Sequence, residues 1–111
     1  MFSAFDEITP EFLHSIGIEA LLIDIDNTLA PYEQPDADDR IINWFSSLKN
    51  AGIKTALISN NHKPRVERFN EKLGLIAYYD CGKPKSRMLL VAMEQMGSNQ
   101  DNTAGLGDQI L

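Results

Sequence analysis

Asp24 and Asp26 close the apolar run Ala20 to Ile23 and stand two residues apart. On an extended backbone this spacing points both carboxylates to the same side. Two unit charges about 4 Å apart in a partly buried site repel by about 4 kcal/mol at an effective dielectric near 20. No basic residue lies close in sequence to neutralise them, so either one carboxyl is protonated or a cation sits between the two. A third acid, Asp108, follows Gly107 far along the chain. Three hard oxygen donors suit Mg²⁺, which takes a few carboxylates and completes its shell with water and substrate phosphate. Acids at strand ends also form turns and cap helices, so the pair alone says little. Its weight rises because Ser59-Asn60, Lys83-Pro84 and Gly107-Asp108-Gln109 follow in that order, each just after an expected strand or in the loop beyond it.

These residues meet only if the chain between them returns repeatedly to one edge. Thr9-Pro10-Glu11 reads as a helix start, with Thr as N-cap, Pro in the first turn and an acid at the positive end of the helix dipole, and Gly17 ends that helix near 10–16. The uninterrupted apolarity of Ala20 to Ile23 predicts a strand covered on both faces. After the stretch Pro31 to Pro35, Ile41, Phe45 and Leu48 give a helical face with Ile42 beside it and Gly52 as its stop. Ile53 to Ile58 is the next strand. Ser59 to Lys63 is a turn, and Pro64, Val66, Phe69, Leu73 and Gly74 mark out a helix from first position to C-terminal stop. Leu75 to Tyr79 is a third strand, Ser86 to Met96 a helix with Leu89, Met93 and Met96 in register, and Thr103 to Leu106 a fourth strand.

This alternation predicts an α/β fold: a Rossmann-like, three-layer α/β/α arrangement around a mostly parallel sheet, in one domain spanning 1–111. In such sheets ligands bind beyond the carboxyl ends of the strands. Asp24 and Asp26, Ser59 and Asn60, the loop 80–85, and Gly107-Asp108 would converge there.

Composition bounds the remaining choices. A chain of 111 residues, 43% hydrophobic and 23% charged, has the make-up of a soluble globular domain. Cys81 is the only cysteine and cannot form an internal disulfide; the N-terminus carries no basic segment followed by an apolar one, so the expected location is cytoplasmic. The longest apolar runs fall well short of the roughly 20 residues a membrane span requires. The net charge of -6 is unevenly spread: residues 1–39 hold ten acids and no lysine or arginine, whereas all ten bases lie in 40–99 against four acids. An acidic chain repels a phosphate backbone, which argues against general nucleic-acid binding.

The motifs D-I-D-N-T-L (24–29), L-I-S-N (57–60), K-P (83–84) and G-D-Q (107–109) resemble those of the haloacid dehalogenase-like (HAD) superfamily, specifically its subclass IIIA phosphatases and most closely the YqeG-type group. The resemblance runs from about Ala20 to the last residue. It implies that Asp24 is the nucleophile, forming an aspartyl-phosphate, and that Asp26 is the general acid and then the base that activates water. It further implies that Ser59, the Asn60 backbone N–H and Lys83 bind the phosphate. Mg²⁺ would be held by the Asp24 carboxylate, the Asp26 backbone carbonyl and Asp108. These roles agree with what phosphoryl transfer needs, which is in-line positioning and charge neutralisation.

The other residues near these motifs read more plainly. His62 is expected to be a solvent-facing loop histidine, Lys85 and Arg87 exposed bases, Cys81 a passive small residue, and Met88, Met93 and Met96 core. From Leu29 to Ile53 there is room for one loop and one helix, and from Asn61 to Lys83 for one helix and one strand. HAD relatives insert caps at these two places, so the chain resembles a capless core whose open site admits a bulky phosphorylated substrate. Some YqeG-type relatives are phosphatidylglycerophosphate phosphatases, which makes that head group a candidate. Peripheral membrane contact through Phe2, Phe5, Ile8 and Phe12 is the alternative to their packing on the sheet. A neighbouring subunit acting as lid would make the protein a homo-oligomer. The family pattern continues past Gly107-Asp108-Gln109 through a second acid, a helix and a strand, so the chain is expected to be incomplete at its C-terminus. Two rival readings are a receiver-like phosphoacceptor using Asp80 after the third strand, and a catalytically silent binding module.

Overall fold

The structure, a computed structural model, describes residues 4–26, 28–81 and 86–107. Four parallel strands, β1 (Ala20–Asp24), β2 (Lys54–Ile58), β3 (Ile76–Tyr78) and β4 (Thr103–Leu106), form one sheet in the order β3-β2-β1-β4. Helix α1 (Pro10–Ser15) precedes β1; α2 (Asp39–Asn50), α3 (Lys63–Asn70) and α4 (Ser86–Met96) fill the three crossovers. The expected α/β architecture is therefore present; the expected strand 53–58 starts one residue later, and 75–79 is shortened by one residue at each end.

Local chemistry explains the boundaries. Thr9 caps α1, its hydroxyl accepting from Phe12 N at 3.1 Å, with Pro10 in the first turn. Asp38 caps α2 in the same way, accepting from Ile41 N at 3.0 Å. β1 is buried at all five positions, as its unbroken apolarity predicts. Its odd-numbered side chains, Leu21 and Ile23, join Ile41, Phe45, Leu48, Val66 and Phe69 of α2 and α3. The opposite face carries Ala20 and Leu22, which pack with Ala56 against Ala92 and Met96 of α4. Two crossover helices thus cover one face and the third covers the other, giving three layers.

Of the four N-terminal apolar residues, Phe5 and Ile8 take the packing alternative, against Trp44 of α2. Phe5 and Ile8 are buried; Phe5 meets Trp44 edge-on at 5.2 Å, and Trp44 Nε1 donates to the Ile8 carbonyl at 2.8 Å. Phe12 is exposed, and Phe2 lies outside the described residues. No helix among the described residues is long and apolar enough to cross a membrane.

Candidate active site

The strand order reverses between β1 and β4, and in open parallel sheets the crevice for a ligand opens at that switch point. Asp24, the last residue of β1, sits there, 2% exposed, beside β2, where its register partner is Ile58. On the other side Ile23 pairs with Leu106, so Gly107 leaves β4 next to Asp24. A Cβ on Gly107 would fall 2.4 Å from Asp24 Cβ and 2.9 Å from Thr28 Oγ1, and its φ is +133°. Only glycine fits, because any side chain would occupy the space of the carboxylate. Glycine at 107 is thus read in physical terms: it lets β4 close against the acid.

Beyond Asp24 the chain curls. The Ile25 carbonyl accepts from the backbone N–H groups of Thr28, Leu29 and Ala30 at 3.3, 3.0 and 3.3 Å. This turn brings Asp26 out to partial exposure, 23% for its side chain. Arg65 Nη2 donates to Asp26 Oδ1 at 3.0 Å and Asn61 Nδ2 to Oδ2 at 3.3 Å. The neutralising base absent from the local sequence is therefore Arg65, 39 positions away on the first turn of α3. This corrects the expectation that only a proton or a cation could relieve the acid pair: Asp26 has a guanidinium of its own. Asn61 and Arg65 were not among the expected site residues. The charge split implies only that an acid in the lysine-free first third finds its basic partner in the later chain; it does not single out Arg65 and carries no sign of Asn61.

Ser59, fully buried, follows β2. Its N–H donates to the Tyr78 carbonyl and its carbonyl accepts from Cys81 N, both at 3.0 Å, while its Oγ accepts from Asn61 N at 2.9 Å. A hydroxyl that accepts this bond still has a proton to donate. Asn60 is exposed at the same edge. His62 faces solvent as expected, yet its Nδ1 lies 2.6 Å from Asp80 Oδ1. Asp80 takes a left-handed backbone, φ 51°, and its N–H donates to the Asn61 carbonyl at 2.8 Å, so it joins the loops after β2 and β3. Cys81 is buried, as are Met93 and Met96. Burial raises the pKa of the nearby Tyr78 phenol, with a smaller contribution from Cys81; its hydroxyl donates to Gln95 Oε1 at 2.6 Å.

Lys83, Lys85 and Asp108 lie outside the described residues. Asp24, Asp26, Ser59 and Asn60 do gather at the carboxyl edge. Among the described residues no group of three acids, histidines or cysteines forms a metal cluster. The donors proposed for Mg²⁺, the Asp24 carboxylate, the Asp26 carbonyl and Asp108, are all oxygens of the kind that ion prefers, and the glycine preceding Asp108 is packed on Asp24. The donor set fits the metal. The receiver reading fits poorly: receiver-type sheets run 2-1-3-4-5, with the third strand beside the first, whereas here β3 is an edge strand beyond β2.

Comparison with known proteins agrees with this topology. The chain is 36% identical over 104 residues to "Probable phosphatase YqeG" of Bacillus subtilis (strain 168), a match covering 94% of this chain and 60% of that protein. It spans, then, less than two thirds of that relative's length. Among solved structures, the cobalt-bound deoxy-D-mannose-octulosonate 8-phosphate phosphatase (YrbI) of Haemophilus influenzae superposes with a TM-score of 0.72 at 22% identity, covering 83% of this chain and 59% of that one. A Legionella pneumophila protein described as a HAD superfamily (subfamily III A) hydrolase superposes with a TM-score of 0.67 at 24% identity, covering 88% and 59%. The family profile of haloacid dehalogenase-like hydrolases matches residues 32–110. With the β3-β2-β1-β4 sheet and the acids gathered at its switch point, this match establishes that the chain belongs to the haloacid dehalogenase-like hydrolase family.

Proposed function

We propose that this chain is the core of a phosphomonoesterase in which Asp24 attacks phosphorus and Asp26 moves the proton. The observation that carries this reading is the contrast between two acids only two residues apart. Asp24 is buried at the switch point under Gly107, and Asp26 stands at the edge between Arg65 and Asn61. Two carboxylates in two environments can take two roles.

In the first step an Asp24 oxygen forms a bond to phosphorus as the bond to the leaving oxygen breaks, and the Asp26 carboxyl gives that oxygen its proton. In the second, Asp26 takes a proton from water, the water oxygen bonds to phosphorus, and Asp24 is released with inorganic phosphate. Splitting hydrolysis in this way replaces one difficult displacement by two easier ones. Ser59 and the Asn60 N–H hold the phosphoryl oxygens, and Lys83 offsets their charge. The Asp24 carboxylate, the Asp26 carbonyl and Asp108 would hold Mg²⁺, which when bound would supply further charge neutralisation; the cobalt-bound state of the H. influenzae phosphatase supports a divalent metal.

Between Asn61 and Cys81 the chain holds only α3 and β3, and between Ala30 and β2 only a loop and α2. Neither crossover contains a cap, which favours a bulky phosphorylated substrate, with phosphatidylglycerophosphate a specific candidate. Phosphate release with added Mg²⁺, from para-nitrophenyl phosphate and from phosphatidylglycerophosphate in mixed micelles, tests both levels. Asp24→Asn is expected to lower turnover at least about 1,000-fold with the fold intact. Substantial activity in that variant overturns the assignment of the nucleophile, and release from the aryl ester alone overturns the lipid substrate.

A further inference from the structure

Building on the phosphomonoesterase reading, we propose that Arg65 is a positioning residue for Asp26, fixing the carboxyl that protonates the leaving oxygen. The Arg65 side chain is 10% exposed. Its Nη2 donates to Asp26 Oδ1 at 3.0 Å and to the Pro31 carbonyl at 3.2 Å, and its Nη1 donates to the Gln34 carbonyl. The guanidinium lies 5.3 Å from the Phe69 ring centroid and 5.6 Å from that of Tyr32. It is thus fixed by two backbone carbonyls and two rings before it meets the carboxylate. With Asn61 on the second oxygen, both Asp26 oxygens are held from the segment that begins α3.

This arrangement uses what distinguishes arginine from lysine. A planar fork reaches three acceptors in fixed directions, whereas an ammonium supplies one movable point of charge. A salt bridge needed only to neutralise Asp26 would be satisfied by lysine; one that aims the carboxyl would not. Orientation at a proton-transferring group is worth much, because small misplacements cost rate steeply. The same contacts join Asp26 to Pro31 and Gln34 of the bordering loop through one guanidinium.

The readout that separates aiming from mere support is the leaving group. Proton donation matters most when the departing oxygen is strongly basic, as from an alkyl ester, and little when it is a nitrophenolate. In Arg65→Lys, kcat/KM for glycerol phosphate is expected to fall about 100-fold, while that for para-nitrophenyl phosphate falls no more than about 5-fold. Asp26→Asn should show the same selectivity, and adding Arg65→Lys to it should cost nothing further on the alkyl ester, as expected when one residue acts through the other. Arg65→Met, which keeps the apolar contacts without the fork, provides a second variant, with Tm measured on each. Equal losses on both esters, losses that add to those of Asp26→Asn, or an unchanged enzyme overturn the proposal. Wild-type protein inert toward both esters, or active in the Asp24→Asn form, overturns instead the reading on which it rests.

Discussion

The two edges of the sheet handle charge in opposite ways. At the carboxyl edge acids go under the surface: Asp24 is 2% exposed, and Asp26 is cross-linked to a largely buried arginine. At the amino edge α2 and α4 end, α3 leads into the β3 approach, and a cleft of about 620 Å³ carries Lys49, Lys54 and Lys72 on its rim. All three lysines are exposed, and none forms an ion pair among the described residues. Cations near helix C-termini meet the negative end of the helix dipole and keep their heads in water. A buried carboxylate has no such recourse, so it needs a neighbourhood built from distant chain. Charge count does not distinguish the two edges; desolvation does.

The largest expected effect is the loss of turnover in Asp24→Asn described above. Next comes Gly107→Ala, which places a methyl in the space of the Asp24 side chain at a backbone angle open only to glycine. It is expected to cost about 2–5 kcal/mol and most of the activity. Gly52→Ala at the amino edge is the sharpening control. Its φ is also positive, +80°, but nothing lies within 4 Å of an added Cβ, so the cost is about 1 kcal/mol and the rate is unchanged. Thermal unfolding and phosphate release on both variants check this; equal behaviour would erase the contrast between the edges.

The third effect is the leaving-group selectivity in Arg65→Lys. A fourth is close to nil: exchanging Lys49, Lys54 and Lys72 for Gln should leave hydrolysis within about twofold and stability within about 1 kcal/mol. A large rate loss would break the comparison by giving the amino edge a part in catalysis.

A fifth effect, also small, concerns exposed pairs beside the carboxyl edge. Hydrogen bonding from Arg40 lowers the pKa of Asp6 below 3.8, and Arg68 does the same for Asp36. A carboxyl whose folded pKa is depressed adds stability above its unfolded value and loses it as pH falls through the folded one. Asp6→Asn and Asp36→Asn should therefore lower Tm slightly at pH 7. The difference should shrink as pH drops below 3.8, and salt should weaken it throughout. A difference independent of pH would show that these aspartates act through packing.

Much of this was legible along the chain. Thr9 and Asp38 cap helices because a short polar side chain before an apolar period satisfies free N–H groups, which is local chemistry. Ala20 to Ile23 is a buried strand because nothing polar interrupts it. Strand ends blur by a residue, as at Ile53 and Leu75, because pairing partners set them. Arg65 was not legible. On the chain it is one of several bases in a helix that also carries Lys63 and Arg68, and no period distinguishes the base that turns inward from those that stay in water. Trp44 was missed likewise: its burial depends on Phe5 and Ile8, which fold back from the N-terminus to meet it.

By itself, then, the amino-acid order determined the alternation of elements and the placing of Asp24 at the end of a strand and of Asp26, Ser59 and Asn60 just after strands. Periodicity, capping and glycine stops act over a few residues and can be read there. Only the tertiary structure decided that β1 lies between β2 and β4, that Gly107 closes on Asp24, and that Arg65 holds Asp26. Those outcomes depend on which surfaces lose water together, and desolvation couples residues by distance in space, whatever their separation along the chain.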